Sequence, residues 1–248
     1  MDSLGSKLVA VATAAYVLVS CSVAMAEEPV EIAPPPPMRV TLGLNPRHLT
    51  GAGFQPIAWT FLTKFLAPQS SDRVVREFTT DIDSGLAFAN RGIDRCGRDR
   101  LASLSLNRLS IVCRGAVVGK GVATVVDASS SAPRQISLIA YNVGGRVAGP
   151  NGLLVVVRGE RWPAGRRFVM RFSKSSKRGF STSVSVGVPR VGPGLFLTGF
   201  SLRFPRGETN FASATCSRGV LTAELEPYAV ASGAQFSGEL LSIPCSRS

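Results

Sequence analysis

Short runs of alternating polar and apolar residues, bounded by Gly, Pro, Ser or Asn, recur through most of this chain. A period of two is the mark of a strand with one wet face. The runs fall at 38–44, 57–65, 74–81, 116–126, 135–141, 152–158, 166–173, 180–186, 195–204, 211–216, 220–226 and 235–243. Within 166–173, Phe168, Met170 and Phe172 face one way, opposite Arg167, Val169, Arg171 and Ser173. Within 220–226, Leu221, Ala223 and Leu225 oppose Thr222, Glu224 and Glu226. The fold expected is mainly β, antiparallel and β-sandwich-like. One stretch, 98–112, places Ala102, Leu106, Leu109 and Cys113 at helical spacing. Leu104 and Leu106, then Leu109 and Ile111, also alternate as in a strand, so at most one short helix is expected there.

The first 26 residues read as an export signal: Lys7, an apolar run over 8–19, then Ala24-Met25-Ala26 as a small-x-small cleavage site. Leu18-Val19-Ser20-Cys21 supports an alternative, a lipobox in which Cys21 is lipidated and becomes the new N-terminus. The apolar run is shorter than the about 20 residues that a membrane helix needs. No later segment approaches that length, so no transmembrane span is expected in the mature chain. Residues 27–38 (EEPVEIAPPPPM) read as a Pro-rich, semi-rigid linker. Residues 39–248 remain for one β-sandwich-like domain, long enough to bury a sizeable core.

With Cys21 set apart, four of the five cysteines belong to the fold. In an exported protein they read as disulfides, and the short-range pairing joins Cys96 to Cys113 and Cys216 to Cys245. Each bond would stabilise the fold by about 3 kcal/mol, mainly by restricting the unfolded chain. There is no CxxC, and His48 is the only histidine, so neither a metal nor another cofactor is expected.

The net charge is +12, and loss of Asp2 and Lys7 with the signal leaves it unchanged. Such an excess favours polyanions, so an anionic envelope polymer or surface is the expected partner, with no specific nucleic acid. The densest basic region holds Arg158, Arg161, Arg166, Arg167, Arg171, Lys174, Lys177 and Arg178. The loop 173–179 (SKSSKRG) would present Lys174, Lys177 and Arg178 at a hairpin tip, with Phe172 and Phe180 beside them for stacking.

Catalytic patterns are sparse. Any Ser-His-Asp or Cys-His mechanism must use His48, which sits in a turn-rich stretch with no nucleophile elbow. Asp81 with Asp83, and Glu224 with Glu226, would each share a strand face. Glycoside hydrolysis needs two carboxyl groups about 5–10 Å apart, which such spacing can supply. Only Trp59 and Trp162 could serve as large sugar-stacking platforms. Gly119-Lys120 does not complete a phosphate loop, because Gly115 sits one position too close and Gly121 replaces the Ser/Thr. The expected function is non-enzymatic binding or structural work. The alternative is an envelope polysaccharide hydrolase using Asp81, Asp83, Glu224 or Glu226.

Several blocks also resemble a known group. They are Ser84-Gly85-Leu86 through Cys96, the segment Cys113-Arg114-Gly115-Ala116-Val117-Val118-Gly119-Lys120-Gly121, and ISLIAYN at 136–142 followed by the apolar run 153–157. With Cys216 and Cys245 flanking a closing hairpin, they resemble uncharacterised secreted, disulfide-bonded β-rich proteins of high-GC Gram-positive bacteria. The resemblance covers most of 74–246 and implies secretion and a disulfide-bonded β fold, without implying a site.

Overall fold

The structure is a computed structural model that describes residues 38–49, 53–66, 75–97, 106–127, 129, 132–144, 152–158, 167–188, 195–207, 209–226, 228–229 and 235–247. The export signal, Cys21, the Pro-rich linker, Arg161, Trp162, Arg166 and residues 98–105 lie outside them.

The chain folds as β1 (Met38–Asn45), β2 (His48–Leu49), β3 (Gln55–Phe65), β4 (Glu77–Asp83) and β5 (Leu86–Phe88). A short helix α1 (Leu106–Val112) and a 3-10 turn (Arg114–Ala116) come next. They are followed by β6 (Val117–Asp127), β7 (Pro133–Asn142), β8 (Leu153–Arg158), β9 (Arg167–Lys174), β10 (Phe180–Gly187) and β11 (Leu195–Phe204). The last strands are β12 (Ala212–Ala214), β13 (Val220–Leu225), β14 (Tyr228–Ala229), β15 (Gln235–Phe236), β16 (Glu239–Pro244) and β17 (Ser246–Arg247). The expected run 235–243 is thus broken at Ser237-Gly238, and the helical stretch is helical only over its last seven residues among those described.

Thirteen strands form one antiparallel sheet in the order β16-β13-β4-β10-β9-β8-β7-β6-β11-β3-β12-β5, with β1 also paired to β3. The sheet curls until β1 and β16 lie alongside each other. Just beyond, β2 and β17 pair in parallel, Ser246 opposite His48. The architecture is β-sandwich-like, with strand alternation deciding which side chains face in. Along β1, Met38, Val40, Leu42 and Leu44 are buried, whereas Arg39, Thr41 and Asn45 are exposed. The inward faces build an aromatic core in which Trp59 stacks on Phe204 with ring centres 5.1 Å apart, and Phe61 stacks on Phe78 at 5.8 Å.

Both expected disulfides form. Cys216–Cys245, with Cα atoms 6.0 Å apart, ties the end of β16 to the approach of β13. Cys96–Cys113, at 5.4 Å, fastens the loop after β5 to the end of α1. That loop and helix cover a second, smaller core on the outer side of the sheet, where Leu109 and Ala116 pack with Tyr141, Leu154 and Val156. Buried Asn142 holds the loop in place: its amide donates to the carbonyls of Ile93 (3.2 Å) and Asp94 (3.0 Å) and accepts from Asn90 (2.9 Å).

The Gly119-Lys120-Gly121 step has a packing role. A Cβ on Gly121 would land on the backbone carbonyl of Ser201 in the neighbouring β11, and one on Gly119 would press on the Phe204 ring at 2.8 Å. β6 and β11 can approach this closely only because neither residue has a side chain. Gly121→Ala should therefore destabilise the fold by about 2 kcal/mol, within the usual range for overpacking. In a domain of this size that lowers Tm by about 4–8 °C. A calorimetric Tm unchanged in that variant would show that β6 and β11 can move apart freely.

Candidate polyanion-binding site

The strand pairing brings together carboxylates that the sequence places far apart. Glu224 on β13 lies directly opposite Asp81 on β4, and both point to the outer face. Glu226 follows just past β13, its N–H bonded to the carbonyl of Thr79. The β9–β10 hairpin tip leans over this patch, and Lys177 Nζ reaches Glu224 at 2.9 Å, Asp81 at 3.4 Å and Glu226 at 3.4 Å. The ammonium donates a hydrogen bond to Glu224 and lies at ion-pair distance from the other two, so its charge is shared among the protein's own carboxylates, while the buried Asp81 Oδ2 accepts no hydrogen bond. Asp81 is the member that needs it most, since its side chain is only 2% exposed.

The hydrogen bond with Glu224 contributes most to holding the Lys177 ammonium above the ordinary lysine range, helped by Glu226 and Asp81 and opposed by partial burial. Three carboxyl groups share one cation here. Burial raises the Glu226 carboxyl above its ordinary 4.5, and hydrogen bonding with Asp81 and that residue's charge push it further, with Lys177 pulling back in part. Asp83 stands apart, accepting from Gly85 N–H at 2.7 Å and from the Thr222 hydroxyl at 3.1 Å.

The expected basic tip is therefore largely neutralised. Arg171 pairs with Glu77 at 3.2 Å. Arg167 is half-buried, with its Nε buried and unbonded. Phe172 points into the core against Phe88 and Phe211, so it cannot stack on a ligand. Only Lys174 and Arg178 stay exposed without an ion pair among the described residues. Trp59 is also fully buried and offers no sugar platform. His48 shares a hydrogen bond with the Ser246 hydroxyl at the β2–β17 seam, and no carboxylate contacts its ring among the described residues. No cluster of His, Cys, Asp or Glu suited to a metal occurs among the described residues.

Further unneutralised cations lie elsewhere. On the outer face of the sheet, Lys120 of β6 lies directly opposite Arg203 of β11, and Arg39 of β1 directly opposite Lys64 of β3. The ladders connect these pairs, since Arg203 is also opposite Thr60 and Lys64 opposite Gly199. Strand rise and spacing put the two pairs roughly 16 Å apart. Between them lie Thr41, Thr60, Ser201 and the exposed side chain of Leu62. The one described carboxylate on β1, β3, β6 and β11 is Asp127, at the far end of β6 and 3.9 Å from Arg134. Beside Lys120 and Arg203 the surface sinks into a groove of about 600 Å³, lined also by Val117, Val122, Ser201, Pro205 and Arg206. This face has no signature in the sequence because its cations are single residues on four separate strands.

Two measurements test the acidic cluster. Lys177→Met leaves Asp81 buried beside two more carboxylates without a cation. It should cost about 2–3 kcal/mol, less than a fully buried pair because Lys177, Glu224 and Glu226 stay partly wet. A denaturant midpoint equal to wild type would mean that the ion pairs contribute nothing net. For Glu226, a folded-state value above the unfolded one means that stability is gained at low pH and lost as pH rises through the raised value. Glu226→Gln removes that titration. As pH rises from the ordinary carboxyl value of 4.5, its stability should fall less than that of wild type, whereas parallel curves would place the proton elsewhere.

Comparison with known protein families, with curated proteins and with solved structures finds no match to this chain.

Proposed function

We propose that this is a secreted or cell-envelope protein that binds an anionic envelope polymer through the outer face of β1, β3, β11 and β6, without catalysis. The observation that carries the reading is the pair of like-charged neighbours, Arg39–Lys64 and Lys120–Arg203. Like charges directly opposite across a ladder destabilise a sheet by some tenths of a kcal/mol. Elsewhere in the same fold two cations are neutralised, Arg171 by Glu77 and Lys177 by three carboxylates. On this face nothing described does so, and a polyanion laid across the strands would. The two disulfides, the signal-like residues 1–26 and the resemblance to secreted β-rich proteins support an extracellular or envelope setting, either freely secreted or lipidated at Cys21. No helix of the described residues is long and apolar enough to cross a membrane.

Hydrolysis of an envelope polysaccharide is the second reading; the raised Glu226 carboxyl favours it, but its hydrogen bond with Asp81 holds the two carboxyl groups closer than the about 5–10 Å that such a reaction needs. Against it, Lys177 occupies the space between the carboxylates.

Retention on an anionic polymer separates the two. Binding should weaken as salt rises, and replacing Arg39, Lys64, Lys120 and Arg203 by Ser should abolish it, each change lowering the log–log salt slope by about one. Lys174→Ser with Arg178→Ser should have a smaller effect. Release of reducing ends, abolished by Asp81→Asn, would instead establish the hydrolase.

A further inference from the structure

We infer that the groove beside Lys120, Arg203 and Arg206 is a subsite for a phosphoryl group within the polymer chain, with the carbon skeleton of its neighbours lying on Val117, Val122 and Pro205. This rests on the polymer-binding reading above and adds the chemistry of one unit of the ligand.

The two like-charged pairs are not equivalent. Arg39 and Lys64 project from an open stretch of β1 and β3 and supply charge alone. Lys120 and Arg203 face a concavity, and Arg206 adds a third cation to it. Two of these three are arginines held on short tethers. Arg203 is the penultimate residue of β11. Arg206 follows across Pro205, in a turn that the Asn210 side chain fixes by accepting from Gly207 N–H at 3.2 Å. The close approach of β6 and β11 at Gly119 and Gly121 sets Lys120 firmly against Arg203. None of the three has an ion pair among the described residues, and Ser201 lines the same groove.

Cations converging from two strands and a turn suit a tetrahedral group better than a planar one. The oxygens of a phosphoryl group point out tetrahedrally and can meet donors from several directions, whereas the acceptor sites of a carboxylate lie in one plane. The apolar part of the lining fits the carbon units on either side of a phosphate, and the volume is that of a site for a few such units. A bare surface charge patch would need neither feature.

The test uses the protein covering 27–248 and two soluble oligomers with equal numbers of charges, glycerol phosphate and α-linked glutamate, titrated calorimetrically at fixed salt. Glycerol phosphate should bind at least tenfold more tightly. Arg203→Lys keeps the charge but removes the fork, so it should erase most of that preference while Tm stays unchanged. Arg39→Ser with Lys64→Ser should weaken both oligomers by the same factor. Equal affinities for the two oligomers, or a preference that survives Arg203→Lys, would overturn the phosphoryl subsite and leave the polymer-binding face standing. Binding of neither oligomer would overturn both.

Discussion

A thirteen-stranded sheet that buries its inner face against itself gives each strand one dry side and one wet side, with no freedom to exchange them. Slipping β9 by one residue would put Phe168, Met170 and Phe172 into water and Arg167 and Arg171 into the core. The aromatic interior therefore enforces the register. The register in turn decides which polar groups meet on the outside. The edges of such a sheet must also be managed. Here β1 and β16 lie alongside each other, β2 and β17 pair in a separate two-stranded sheet just beyond, and Cys216–Cys245 ties down the end of β16.

The outer face separates charge along the sheet. Acids gather on β4 and β13, and the cations of β1, β3, β6 and β11 have no such company. The separation has unequal consequences. Asp81 is buried, where a polar group without a partner is costly, and the hairpin tip brings Lys177 to 3.4 Å from it. The cations on β1, β3, β6 and β11 are exposed to water, which keeps their mutual repulsion small enough for the fold to tolerate.

The smaller core under α1 has a different logic. A seven-residue helix has little stability of its own, so it depends on being pressed against β7 and β8 and fastened through Cys113. Asn142 completes the attachment by absorbing the polar backbone of the loop, which would otherwise be buried unbonded.

Periodicity in the sequence determined the strands, their inward residues and the β-rich class, because alternation is a local property of each strand. The spacing of the cysteines likewise indicated both disulfides, since short loops close most easily. Which strands became neighbours was decided only by the tertiary structure. Lys177 looked like a ligand contact because nothing local shows that Glu224 lies opposite Asp81 across more than a hundred residues. Lys120 and Arg203 looked unremarkable for the same reason: the close approach of β6 and β11, with their glycines, first makes them a pair. Strand pairing over long separations is set by the packing of the whole core, and a surface site built across strands has no signature until that packing exists.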